Sequence, residues 1–395
     1  MLTKKFIETI YSAASIQRWN DHVRPVAGFS ELDKQAHKMI IAYVLAKMEE
    51  TQNRNEINWI NLIEGGLFEF LHRVTLTDLK PDVFHELMEK KGSQLNNWVL
   101  QELDDDLESL KGNFKSNFEK YLNDPSYAEA EKRILKAAHY LATKWEFNII
   151  YNVNSMICGI EKRKEEINNE IKKYSDLAGV KSLLKNEKYY GFIDLCGQLG
   201  FQQRWAQQHM QPKTSVLGHM LIVAILSYVC LMDKNYCEKR MYNNFYSALL
   251  HDLPEVLTRD IISPIKTSIS GLDSIIKDYE RRQINEKILP LLPEEWHDEI
   301  KYFILNEFKN RVIENSSVVE KKEINESYNK NEFSPVDGEF IEAADKFAAY
   351  VEACLSIDSG IKSKHLVDAK ENLLSKYKNR EALGFKFGEI FEYFK

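Results

Sequence analysis

An imidazole and a carboxylate stand side by side at His251-Asp252, at the end of the apolar run Ala248-Leu249-Leu250, and Glu255 and Asp260 follow within nine residues. Ionisable groups this close to an apolar segment must be paired or metal-bound, because burying a bare charge is costly. Neutral imidazole nitrogens and carboxylate oxygens suit a divalent transition metal (Mn, Co, Ni, Fe or Zn), with a nearby acid or base acting on water. Two further residues complete an ordered set: His219 early in an apolar segment, and Asp345 between Ala344 and Lys346 in another. A lone histidine on an apolar helix is ordinarily a core residue. The set His219, His251, Asp252 and Asp345 is read together as metal ligands.

Helices must position these residues. Gly and Pro are sparse, at 16 and 9 of 395 residues, and apolar residues recur every three or four positions. The expected helices cover 37–48, 58–70, 130–145, 217–232, 243–250 and 340–357, so the fold class is all-α. The segment 161–173 is almost entirely polar and reads as an exposed helix or connector; 314–333 lacks an apolar face and reads as a mobile loop. No apolar stretch is long enough to span a bilayer, and no secretory signal pattern follows Met1. Five scattered cysteines without a CxxC pair argue against disulfides or a thiolate site. The chain is therefore read as cytoplasmic. A net charge of −7 gives no general attraction for nucleic acid.

Compared with itself, the chain repeats. Phe6-Ile7 and Gln17-Arg18-Trp19 recur as Phe192-Ile193 and Gln203-Arg204-Trp205. His37 aligns with His219, His72-Arg73 with His251-Asp252, and His139 with Asp345. Two domains result, 1–165 and 188–395, joined by a connector at 166–187.

The order His, His-Asp, Asp resembles the HD-domain metal-dependent phosphohydrolase superfamily. Within it, His251-Asp252-Leu253-Pro254-Glu255-Val256-Leu257-Thr258-Arg259-Asp260, followed by Ser263-Pro264 and Lys266, is similar to a segment of bacterial 5'-deoxyribonucleotidases; Arg204-Trp205 and Ala344-Asp345-Lys346 match too. The resemblance covers about residues 190–357 and implies two tandem HD-like helical bundles. It implies that His219, His251, Asp252 and Asp345 bind one divalent metal, that Glu255 and Asp260 position or activate water, and that Arg204, Trp205 and Lys266 contact the nucleotide. Glu255 could equally favour a helix dipole, Asp260 could cap a turn, and Lys266 could be an ordinary solvated lysine. Gly218 stands where those nucleotidases carry Glu, and Arg259 where they carry Gly.

In the first half Arg73 replaces a ligand carboxylate, which puts a permanent positive charge at the metal position. That half is expected to be a degenerate copy, or a separate anion or nucleotide site, with a regulatory role, formed by His37, His72, Arg73 and His139. The expected function is release of phosphate from (deoxy)nucleoside monophosphates, with nucleoside triphosphates, a nucleotide second messenger, or a non-catalytic nucleotide sensor as alternatives. The partner is a nucleotide substrate, and the assembly a homo-oligomer or an intrachain pseudo-dimer.

Overall fold

A computed structural model describes residues 2–19, 28–53, 55–77, 79–185, 188–232, 234–259 and 271–394. Helices dominate, as the periodicity predicts. The first half contains α1 (Lys4–Ser12), α2 (Glu31–Met48), α3 (Trp59–Leu76), α4 (Pro81–Glu102), α5 (Asp104–Ser109), α6 (Phe114–Asn123), α7 (Glu129–Asn154), α8 (Ile160–Lys172) and α9 (Ala178–Leu184). The second contains α10 (Lys188–Gln198), α11 (Val216–Leu231), α12 (Glu238–Leu250), α13 (Glu255–Thr258), α14 (Leu272–Gln283), α15 (Glu294–Ile304), α16 (Gly338–Asp358), α17 (Lys364–Tyr377) and α18 (Phe387–Tyr393).

Two helices form the centre. α11 is apolar on every side and buried along its whole length, as such a helix must be. α2 is nearly as buried, although it carries Lys34, Gln35, His37 and Lys38. Both begin at a serine cap: Ser30 accepts from the Asp33 amide and Ser215 from the Gly218 amide. α2 packs on α7, α11 packs on α12 and α16, and α2 packs on α11. One continuous apolar core consequently runs through both halves, from Leu2 to Phe394.

The departure of Gly218 from the nucleotidase pattern has a steric reason. A Cβ there would come within 2.9 Å of Leu32 Cδ2 and 3.0 Å of Asp33 Oδ1, so the absence of a side chain lets α2 and α11 meet at their N-terminal turns. Arg259 has φ 64°, a left-handed conformation that glycine adopts without strain.

One expectation needs correction. Residues 314–333 are not a structureless loop: β1 (Asn310–Glu314) and β2 (Ser317–Glu320) form an antiparallel hairpin, and β1 also pairs with β3 (Val336–Asp337). Short 3₁₀ turns follow, and Asn329 and Asn331 accept from the Cys237 and Lys239 amides at the start of α12. Behind them Arg240 makes two bonds to buried Asp337, at 2.7 and 2.8 Å. Losing one partner of such a pair costs about 3–5 kcal/mol. Hydrogen bonding orders this stretch, and apolar periodicity cannot register it. Between the halves α9 lies on α2, with Gly179 so close to Leu45 that a Cβ would sit 2.6 Å from its Cδ2.

Candidate metal centre

α11 brings His219 to the centre from its first turn, fully buried. His251 and Asp252 arrive from the end of α12, where the helix gives way to turns ahead of Pro254. His219, His251 and Asp252 each offer a ligand atom within 4.8 Å of the others. Asp345, on α16, adjoins this cluster: its Oδ1 lies 2.8 Å from His219 Nε2, and its Oδ2 accepts from Lys346 Nζ at 2.6 Å. The four residues expected from the sequence therefore stand together.

His251 Nδ1 and the Ala248 carbonyl oxygen lie 2.7 Å apart, so a proton on Nδ1 donates to that carbonyl and leaves Nε2 to the site. Nε2 is buried, 3.1 Å from Asp252 Oδ2, without hydrogen-bond alignment. Burial alone would push the imidazole pKa down, but Asp252 and Asp345 raise it to about 9. For Asp252, burial opposes the charge and His251 overcomes it, leaving the carboxyl at about 2. Donor atoms about 3 Å apart, in a pocket that favours positive charge, are what neighbouring ligands on one ion with bonds of about 2.1 Å require. The donor set fits a divalent transition metal.

Arg204 and Trp205 lie in the loop before α11. Arg204 Nε and Trp205 Nε1 both donate to buried Glu352, at 3.3 and 2.8 Å, and Thr214 Oγ1 donates to the same carboxylate at 2.9 Å. Glu352 Oε1 also stands 3.5 Å from His219 Nδ1. The Arg204 guanidinium is thereby held 4.0 Å from Asp252 Oδ2, beside the centre. Burial opposes the charge of Glu352, yet Arg204 and His219 bring its pKa down to about 2. Trp205 packs its ring against Met210, Ala353 and Leu366. Glu255, buried, opens α13 three residues after Asp252, and its carbonyl accepts from Gln202 Nε2 at 3.2 Å. Asp260 and Lys266 lie outside the described residues.

Glu352 is the residue that sequence reasoning missed. It falls seven positions after Asp345, on the same helical face, and Glu146 stands seven after His139. That parallel spacing was a readable signal.

The first half repeats the loop geometry. Gln17 bridges to Ser30 as Gln203 bridges to Ser215, and Trp19 and Trp205 take left-handed φ values of 59° and 54°. Arg18 Nε and Trp19 Nε1 donate to Glu146 at 2.8 and 2.9 Å. Counted from the serine caps, the residue matching His219 is Lys34 rather than His37. Lys34 meets His139 at 2.6 Å, as His219 meets Asp345. His37 instead turns into the core, bonded to the Ile193 carbonyl and edge-on to Trp145. His72 bonds Asn96, away from the pocket, while Arg73 reaches to 3.6 Å from Glu31. His37 lies three residues past the matching position, about one turn on, because α2 repeats cationic and imidazole side chains along its length.

No helix among the described residues is long and apolar enough to cross a membrane. Comparison with known proteins gives distant relatives and a family model that matches part of the chain. The chain is 29% identical over 122 residues to a 5'-deoxynucleotidase of Vibrio atlanticus, covering 30% of this chain and 61% of that enzyme. It is 26% identical over 196 residues to 4'-phosphooxetanocin A phosphatase of Priestia megaterium, covering 47% and 85%. A 5'-deoxynucleotidase of Vibrio parahaemolyticus is 30% identical over 124 residues, covering 30% and 61%. The matched segment thus spans about three fifths of the length of the two Vibrio enzymes. Residues 196–374, which carry His219, His251, Asp252 and Asp345, match the family model of the HD domain.

Proposed function

We propose that the second half is a divalent-metal-dependent phosphohydrolase releasing phosphate from (deoxy)nucleoside 5'-monophosphates. We propose too that the chain is a tandem repeat, with a non-catalytic first copy at 1–165, a connector at 166–187 and the working copy at 188–395. The observation carrying the reading is the buried cluster of His219, His251 and Asp252 with Arg204 beside it. The paired Arg-Trp-Glu arrangements support the duplication.

His219, His251, Asp252 and Asp345 hold the ion, which when bound offsets phosphate charge and acidifies a water molecule. Ala248 fixes the His251 tautomer, and Lys346 fixes Asp345. Arg204, aimed by Glu352, offers its guanidinium to a phosphate oxygen, the pairing its planar fork suits best. Glu255 and Asp260 would position or activate the attacking water, a carboxylate relaying the water's proton to the leaving 5'-oxygen, and Lys266 and Trp205 would contact the nucleotide. Gly218 and the shared core support reading the two copies as a pseudo-dimer within one chain.

The test is phosphate release by the full chain on a panel of ribo- and deoxyribonucleotides, with Mn, Co, Ni, Fe or Zn supplied in turn. Turnover of monophosphates that vanishes in Asp252→Ala supports the reading. Absence of turnover on every nucleotide and metal, from protein that retains a metal, would leave a binding protein in its place.

A further inference from the structure

The first half holds a pocket of about 630 Å³ where the second half has its metal centre. Its floor is cationic. Arg18, Lys34, Arg73 and His139 line it, at the positions matching Arg204, His219, Asp252 and Asp345. Arg18 is already held by Glu146 and Glu31, and Arg73 lies 3.6 Å from Glu31. Lys34 differs. It is 2% exposed and its one polar contact within bonding distance among the described residues is the His139 ring, while buried Glu31 acts on its amine from beyond 4.0 Å.

Two nitrogen bases facing each other in a cavity cannot both carry charge without repulsion. Burial depresses the Lys34 pKa against the attraction of Glu31, and burial and then Lys34 depress that of His139. A metal ion is excluded from such a floor on charge, since Lys34 and Arg73 stand where ligands would be needed. An entering oxyanion has the opposite effect: it accepts from Lys34 and lets the amine hold its proton. Higher up, Arg163 and Lys80 add cations among Asp82, Glu166 and Glu170, and Trp19, Phe84 and Tyr140 supply aromatic walls. The volume far exceeds that of inorganic phosphate and falls in the range, about 300–1,000 Å³, of small-molecule sites. A charged floor beneath aromatic walls matches a phosphate joined to a flat heterocycle.

We propose that this pocket is a second, metal-independent nucleotide site, with the phosphate on Lys34 and Arg18 and the base between Tyr140 and Phe84. It does not depend on the catalytic reading of the second half.

Binding is measured by calorimetry on the full chain, with and without chelator, using dAMP, AMP, inorganic phosphate and deoxyadenosine as probes. Expected is one equivalent of dAMP or AMP bound in chelator, with deoxyadenosine and inorganic phosphate each at least about tenfold weaker, since each lacks one half of the recognition. Lys34→Met lowers affinity by at least about tenfold, and Arg163→Ala, which removes a lining cation paired with Glu166 on α8, lowers it several-fold. Asp252→Ala leaves chelator-resistant binding intact. Three results overturn the proposal: no nucleotide bound in chelator, binding unaffected by both Lys34→Met and Arg163→Ala, or binding lost in Asp252→Ala. Inorganic phosphate binding as tightly as dAMP overturns the nucleotide assignment.

Discussion

The second-half centre and the first-half pocket share a frame and differ in charge. Each has an Arg-Trp pair clamped on a buried glutamate seven residues after the last floor residue, and each has a first-turn residue of a central helix touching that floor residue. Over the frame, His219, Asp252 and Asp345 face Lys34, Arg73 and His139. Two carboxylates beside two imidazoles attract a cation; an amine and a guanidinium beside an imidazole attract an anion. The backbone frame therefore tolerates opposite electrostatics, and function follows the few side chains set upon it.

The sharpest break of this comparison is to give the second half the charge of the first. Asp252→Arg recreates the His-Arg dipeptide of residues 72–73 and should abolish metal retention, with turnover reduced on the order of a thousandfold or more. The reverse change, Arg73→Asp, should alter turnover by less than about twofold. Elemental analysis and initial rates on both purified proteins decide it; comparable loss in the two would mean that the halves share one catalytic site.

Next come the clamping glutamates. Glu352→Gln keeps an acceptor for Trp205 but strips the charge that restrains Arg204 and adjoins His219, and a change of this kind beyond the ligands costs about 10–100-fold in activity or metal affinity. Among the described residues Glu146 has no counterpart of the Thr214 bond, and burial raises its pKa where that of Glu352 is lowered. Glu146→Gln should leave turnover within about threefold. Equal kinetic effects of the two glutamine variants, with metal content unchanged, would remove Glu352 from the site. Glu255→Ala should keep the metal and lower turnover, separating water activation from ligation.

The sequence exposed the second-half site far better than the first. His251-Asp252 is contiguous, and Asp345 sits in an Ala-rich apolar run, so burial of a charge was evident there. Helix positions 37–48, 217–232 and 340–357 were legible because apolar periodicity records burial directly. Lys34 was not, since lysine in a first helical turn ordinarily reaches solvent. The hairpin at 310–320 escaped for a related reason: Asp337, Arg240, Asn329 and Asn331 stabilise it through polar contacts between residues about 90 positions apart.

The smallest effect concerns the seam between the halves. Asp33 accepts from Ser30, the cap of its own helix, and from Ser215, the cap of α11, so one carboxylate ties both N-terminal turns. Burial raises its pKa from 3.8 to about 6, against the lowering influence of the two serines. A folded pKa above the unfolded one means that the carboxyl's contribution is fully present below about pH 4 and is lost as pH rises through 6. The shift of about two units corresponds to roughly 3 kcal/mol at most, and less after relaxation around the charge. Asp33→Asn removes the titration while keeping an oxygen acceptor. Its melting temperature should therefore gain on the parent protein between pH 4 and pH 8, by several degrees at the upper end. A melting difference that stays constant across that range would show that folding does not raise the Asp33 pKa, and that the seam carries no titrating contribution from this carboxyl.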